Sequence, residues 1–98
     1  MENHSNERFK LAMRIFGKRW NGLIISLLLN GPIRPSGIRS TLGISGKVLS
    51  NQLKELEAED IIERKVYPDY PVRVEYSLTE KGQALEPVFK ELKKWSDK

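Results

Sequence analysis

Lys47, Ser50, Asn51 and Lys54 follow one another at intervals of three, one and three residues. On a helix turning about 100° per residue, that spacing gathers them on one face. Their side chains are those that read a polyanion lined with heterocycles. A lysine reaches guanine acceptors or a phosphate, an asparagine amide pairs bidentately with adenine, and a serine hydroxyl serves either purpose. Ser45 stands just ahead of them as the expected cap of the helix and is counted with them among its nucleic-acid-binding candidates. Leu49, Leu53 and Leu56 form the opposite stripe of the same stretch, "ISGKVLSNQLKELE", and are expected to fasten it to a core.

The order of charge along this stretch favours a working outer face over a merely solvated one. A helix dipole prefers acids at the start and bases at the end, by ~0.3–1 kcal/mol each. Here Lys47 comes early, and Glu57 and Glu59 come late. Contact between the first half of the helix and phosphates accounts for the reversal. The chain as a whole is arranged in the same way. From Arg8 through Lys54 there is no Asp or Glu but nine Lys or Arg, and the acids begin at Glu55. The net charge of +4 is modest, yet a block of one sign suggests a polyanionic partner met by the first half of the chain. A run of ordinary surface bases is the plainer alternative.

Catalytic and metal-binding signals are missing. His4 is the only histidine, there is no cysteine, and Glu55, Glu57 and Glu59 read as a solvated helix end. "GISG" lacks the Lys-Ser/Thr ending of a phosphate-binding loop. An enzyme is therefore not expected, nor is a cofactor or metal. Without cysteine there is no disulfide framework and no thiol switch. No apolar run reaches the eighteen or so residues a membrane span requires, and "MENHSNER" does not begin an export signal. A cytoplasmic protein is expected.

The elements that would position these residues can be read from periodicity. Phe9, Ala12, Met13 and Phe16 predict a first helix over about 6–16, after a short disordered tail of about residues 1–6. Trp20 to Leu29 is apolar nearly all round, as in a central helix, and "NGP" ends it. "RPSGIRSTLG" is a short helix with Pro35 in its first turn, joined by a tight turn at Gly43 to the helix that Ser45 caps. "IIERKVY" and the alternating "VRVEYSL" are two strands, with "PDYP" at the hairpin tip. Thr79 caps one last helix carrying Leu85, Val88, Phe89, Leu92 and Trp95.

That order predicts one domain over residues 1–98. The fold class is mainly α with a small β-hairpin, a winged helix-turn-helix with an added helix at each end. Arg34 and Arg39 in the short helix, Lys54, and Lys65 and Arg73 in the hairpin are the candidates for the phosphate backbone. Asp69 at the tip works against the wing as a whole, so Arg73 is its favoured residue. Phe9 and Met13, with Phe89, Leu92 and Trp95, make more apolar surface than so small a domain covers, and they predict a homodimer.

"FGKRWNGLII" and "ISGKVLSNQLKELEAEDIIERKVYPDYPVRVEYSLTEKG" resemble the HxlR-type regulators, winged-helix relatives of the MarR group. The resemblance implies a homodimeric bacterial or archaeal transcription factor acting at the nucleoid. It also implies that the helix matching Ser45–Glu57 lies in the major groove of double-stranded DNA, that Arg73 serves the wing, and that the first and last helices dimerise. Two departures stand out. Glu7 occupies the place where several members carry a sensing cysteine, and Pro35 and Gly37 replace the usual Phe and Glu. Thiol sensing is thereby excluded, while a small-molecule inducer is left open. The expected function is sequence-specific regulation at an inverted-repeat operator. The alternatives are an architectural DNA-binding protein without sequence preference, or a winged-helix module for protein interaction.

Overall fold

The computed structural model describes residues 4–98. Six helices and a hairpin follow in the order α1 (His4–Phe16), α2 (Arg19–Leu28), α3 (Pro35–Leu42), α4 (Gly46–Ala58), β1 (Ile62–Tyr67), β2 (Arg73–Leu78), α5 (Glu80–Gln83) and α6 (Glu86–Ser96). This is the mainly helical, winged arrangement expected. Of the expected tail, residues 1–3 lie outside the described residues, and α1 already begins at His4.

α2 is the post around which the rest is assembled. Its Ile24, Ile25 and Leu28 are buried, and they share one core with Ile38 of α3, Leu49, Leu53 and Leu56 of α4, and Ile62, Tyr76 and Leu78 of the hairpin. Burying a side chain of this size stabilises by roughly 1.5–3 kcal/mol. The leucine stripe of α4 therefore anchors that helix firmly and fixes which face it turns outward.

The turn between α3 and α4 is short because each of its residues has a defined conformation. Gly43 adopts φ 69°, in the left-handed region, and its N–H bonds the Arg39 carbonyl at 2.8 Å. Ile44 plugs into the core, at 4 % exposure. Ser45 is extended, and its hydroxyl accepts the Val48 N–H at 3.2 Å, as a cap should.

The hairpin pairs Ile62 with Leu78 at its base and Tyr67 with Arg73 at its tip. A feature not foreseen from the sequence extends it. Ile33, between α2 and α3, exchanges two backbone hydrogen bonds with Tyr76, at 3.0 and 2.9 Å. The neighbouring prolines, Pro32 and Pro35, keep this segment from lengthening into a strand.

The single C-terminal helix expected after Thr79 is two. Thr79 caps only α5, accepting the Gly82 N–H at 3.1 Å. Pro87 lacks the N–H that would bond the Gln83 carbonyl, and its ring crowds that carbonyl, so a new helix starts at Glu86. Gly82 is buried at this corner, where a Cβ would collide with the Ile61 carbonyl and press on Leu78. Gly82→Ala should therefore lower unfolding stability by about 1–3 kcal/mol, measured by urea denaturation. An unchanged midpoint would show that the corner relaxes freely.

Candidate nucleic-acid interface

α4 presents Lys47, Ser50, Asn51 and Lys54 to solvent, and Ser45 at its start is exposed as well. Among the described residues, none of the four helix side chains is held in a hydrogen bond or ion pair with another side chain. Their donors and acceptors are available to a ligand along the full length of the face. The Ser45 hydroxyl accepts a backbone N–H and keeps its own proton to donate.

The bases of α3 flank this face. Arg39 is exposed, and its guanidinium lies over the first turn of α4. A Cβ at Gly46 would sit 3.5 Å from its central carbon. A cation at a helix N-terminus opposes the dipole, so Arg39 and Lys47 together create a positive corner that an anion would neutralise. Arg34, exposed at the start of α3, lines a cleft of about 410 Å³ facing the wing, together with Ser36, Asp69, Tyr70 and Arg73. Lys65 is exposed on β1, opposite Glu75.

Arg73 is less free than its place after the tip suggests. Its Nε donates to the Asp69 carboxylate at 3.0 Å and a terminal nitrogen donates to Glu75 at 2.8 Å. The guanidinium also rests over the Tyr67 ring, 4.1 Å from its centroid. The hydrogen bond to Asp69, with a further contribution from Glu75, raises the proton affinity of the guanidinium above its ordinary value. Asp69 thus opposes the wing by a direct bond to the very residue favoured for it.

A second correction concerns Glu55, which is not part of a solvated helix end. Its carboxylate accepts from Lys18 Nζ at 2.7 Å and from Asn21 Nδ2 at 3.2 Å. Asn21 is fully buried, and the same amide nitrogen also donates to the Ile15 carbonyl at the end of α1, at 3.0 Å. Among the described residues its Oδ1 has no partner. One side chain of α2 therefore joins the end of α1 to α4. An asparagine set in the largely apolar "WNGLIISLLL" was the available signal. Lys18 foremost, and then Asn21, lower the Glu55 carboxyl below its ordinary 4.5.

The apolar residues of α1 and α6 divide into two groups. Phe9, Met13, Leu92 and Trp95 are 66, 49, 54 and 69 % exposed. Phe89 is half-buried within its own chain, its ring edge-on to Phe16 with centroids 6.4 Å apart. Part of its surface is therefore already used intramolecularly. Among the described residues there is no cluster of three side chains able to hold a metal ion, and no helix long and apolar enough to cross a membrane.

Residues 15–98 match the HxlR-like helix-turn-helix family. The HTH-type transcriptional regulator YodB of Bacillus subtilis is 49 % identical over 98 residues, covering 99 % of this chain and 88 % of that protein. Its structure in the reduced form superposes with a TM-score of 0.84 at 50 % identity, over 92 % of this chain and 89 % of the other. A transcriptional regulator of the MarR family from Porphyromonas gingivalis superposes with a TM-score of 0.85 at 36 % identity, over 92 and 89 % of the two chains.

Because the folded-state pKa of Glu55 is depressed, its pairing stabilises the fold above the unfolded carboxyl pKa and is lost as pH falls through the folded value. Glu55→Gln should cost about 1 kcal/mol at pH 7. The gap to the unsubstituted chain should close as pH drops below 4.5 in thermal melts. A gap that persists undiminished in acid would assign the loss to packing.

Proposed function

Because the chain belongs to the HxlR-like helix-turn-helix family of transcriptional regulators, which are not enzymes, we propose that it acts as a homodimer on an inverted-repeat operator. In this reading residues 1–98 work as one winged-helix unit. α4 enters the major groove, with Lys47, Ser50 and Asn51 at base edges and Ser45 beside the DNA at its N-terminus, while Arg34, Arg39, Lys54, Lys65 and Arg73 meet the phosphate backbone. The observation that carries it is the outer face of α4, where four unpaired polar side chains stand on a helix pinned from behind by three buried leucines. A site built on a rigid helix keeps its donors in register with the bases.

Exposed apolar surface supports the dimer. α6 has no fully buried residue, yet it carries Leu92 and Trp95, while Phe9 and Met13 stand exposed on α1. A second copy covering these residues would remove them from water and leave two α4 helices about one helical turn of DNA, ~34 Å, apart. Phe89 then serves both its own core and the edge of the interface. Regulation by thiol oxidation is not open to a sequence without cysteine, so an inducer would bind without a sulfur bond. The place of action is the cytoplasm of a bacterial or archaeal cell, on the nucleoid.

Asn51→Ala should narrow the preference for operator over random duplex by about 1–3 kcal/mol, measured by fluorescence anisotropy at fixed salt. Equal weakening on both duplexes would remove Asn51 from base reading. A chain that coats all duplexes alike would support an architectural protein, and one that binds none at low salt would support a protein-interaction module. Leu92→Asp combined with Trp95→Ala should give a folded monomer in sedimentation, with operator affinity lowered at least tenfold, about 1.4 kcal/mol. A variant that remains dimeric would place the interface elsewhere.

A further inference from the structure

The apex of the wing is apolar. Between β1 and β2 lie Pro68, Asp69, Tyr70, Pro71 and Val72, and of these only Asp69 is charged. Val72 is exposed and Tyr70 is completely so. We infer that Tyr70 is a specificity-determining residue, whose ring packs into the minor groove beside each half-site and selects A·T over G·C pairs there. The inference rests on the reading that α4 enters the major groove and the wing meets the backbone.

Charge alone does not account for a grip by the wing. Arg73, its favoured cation, is already bonded by Asp69 and Glu75, at 3.0 and 2.8 Å. Two acids thus offset the guanidinium before DNA arrives. The Tyr70 ring, by contrast, stands in water with no surface of its own chain to cover it. Pro68 and Pro71 stiffen the loop on either side, so little freedom is surrendered when the ring docks.

The cleft in front of the wing says where the ring would dock. One wall is the start of α3, with Arg34, Pro35 and Ser36, and the other is the wing from Asp69 to Val74. At about 410 Å³ it has room for a sugar–phosphate segment between its two arginines. A strand bordering the major groove has the minor groove on its other side. With α4 in the major groove and that strand in the cleft, the wing wall stands over the minor groove. Apolar wedges are a recurrent means of binding there. At an A·T pair the floor of this groove is clear, whereas at G·C the guanine 2-amino group projects from it. A ring laid in the groove packs against the first and is held off by the second.

The test uses the full chain and an operator recovered by selection from random duplexes. The base pairs bordering each half-site are set in turn to A·T, G·C or inosine·C. Inosine lacks the 2-amino group, so its pair with C keeps the major-groove edge of G·C and leaves the minor groove as clear as A·T. The unsubstituted chain should bind the A·T and inosine·C duplexes alike, and the G·C duplex about tenfold more weakly. Tyr70→Ala should bind all three alike, at the level the unsubstituted chain shows on G·C. Its salt dependence should not change, because no charge is lost. Tyr70→Phe should keep the preference, and the melting temperatures of all three proteins should agree because the side chain is at the surface. An inosine·C duplex that behaves as G·C would put the reading in the major groove and overturn the proposal. So would the absence of any preference, or a preference that survives Tyr70→Ala. Hydroxyl-radical footprinting separates these failures from that of the wing reading. Minor-groove protection beside the half-site with a surviving preference would assign the contact to another wing residue, while no protection there would remove the wing from DNA altogether.

Discussion

A buried amide sets the relation among the helices α1, α2 and α4. Asn21 is closed off from solvent within α2, and its single NH₂ group bonds the last turn of α1 on one side and Glu55 of α4 on the other. A polar group placed there costs stability unless its bonds are made, so the geometry of α1, α2 and α4 is specified together. Apolar packing alone would tolerate small rotations of α4 about its leucine stripe. The amide, with Lys18 closing the other side of Glu55, selects one rotation, and with it the direction in which Lys47 and Asn51 point.

Electrostatics divides α4 along its length. The first turn carries Lys47, with the Arg39 guanidinium over Gly46. The later turns hold Glu55, which is spent on internal bonds, and the last carries Glu59. One end is left in need of an anion, while at the other Glu55 already has its cation in Lys18. Local stability is lower for this arrangement than for the opposite order of charges; in the function proposed above, the difference is recovered when phosphates arrive.

What could be read from the sequence follows from the physical range of each signal. The leucine stripe, the Ser45 cap and the Gly43 turn are local patterns, and each appears in the structure where its spacing indicated; the alternating strand read over residues 72–78 appears as Arg73–Leu78, with Val72 left outside it and 63 % exposed. The misses are long-range or depend on one atom. Ile33 pairs with Tyr76 across forty-three positions, and nothing in "GPIRP" announces a partner. Glu55 looks like its neighbours Glu57 and Glu59 until Lys18 is brought beside it. Pro87 breaks the last helix through a missing N–H, a signal that was present in the sequence and outweighed by the apolar stripe around it. Phe89 belongs partly to its own core because α1 folds back near it. The residues of the outer face were legible as a group because all of them lie on one helix.

Under the function proposed above, the two backbone bonds between Ile33 and Tyr76 bear on the thermodynamics of recognition. They join the segment entering α3 to the middle of β2, so the wing is carried by the same frame as α4 and does not swing on its own stem. The rotational freedom the hairpin would otherwise surrender on meeting a duplex is given up during folding. The loop beyond Tyr67 lies outside the paired strands. In that reading, substitutions there would retune what the wing touches without altering the angle at which α4 arrives.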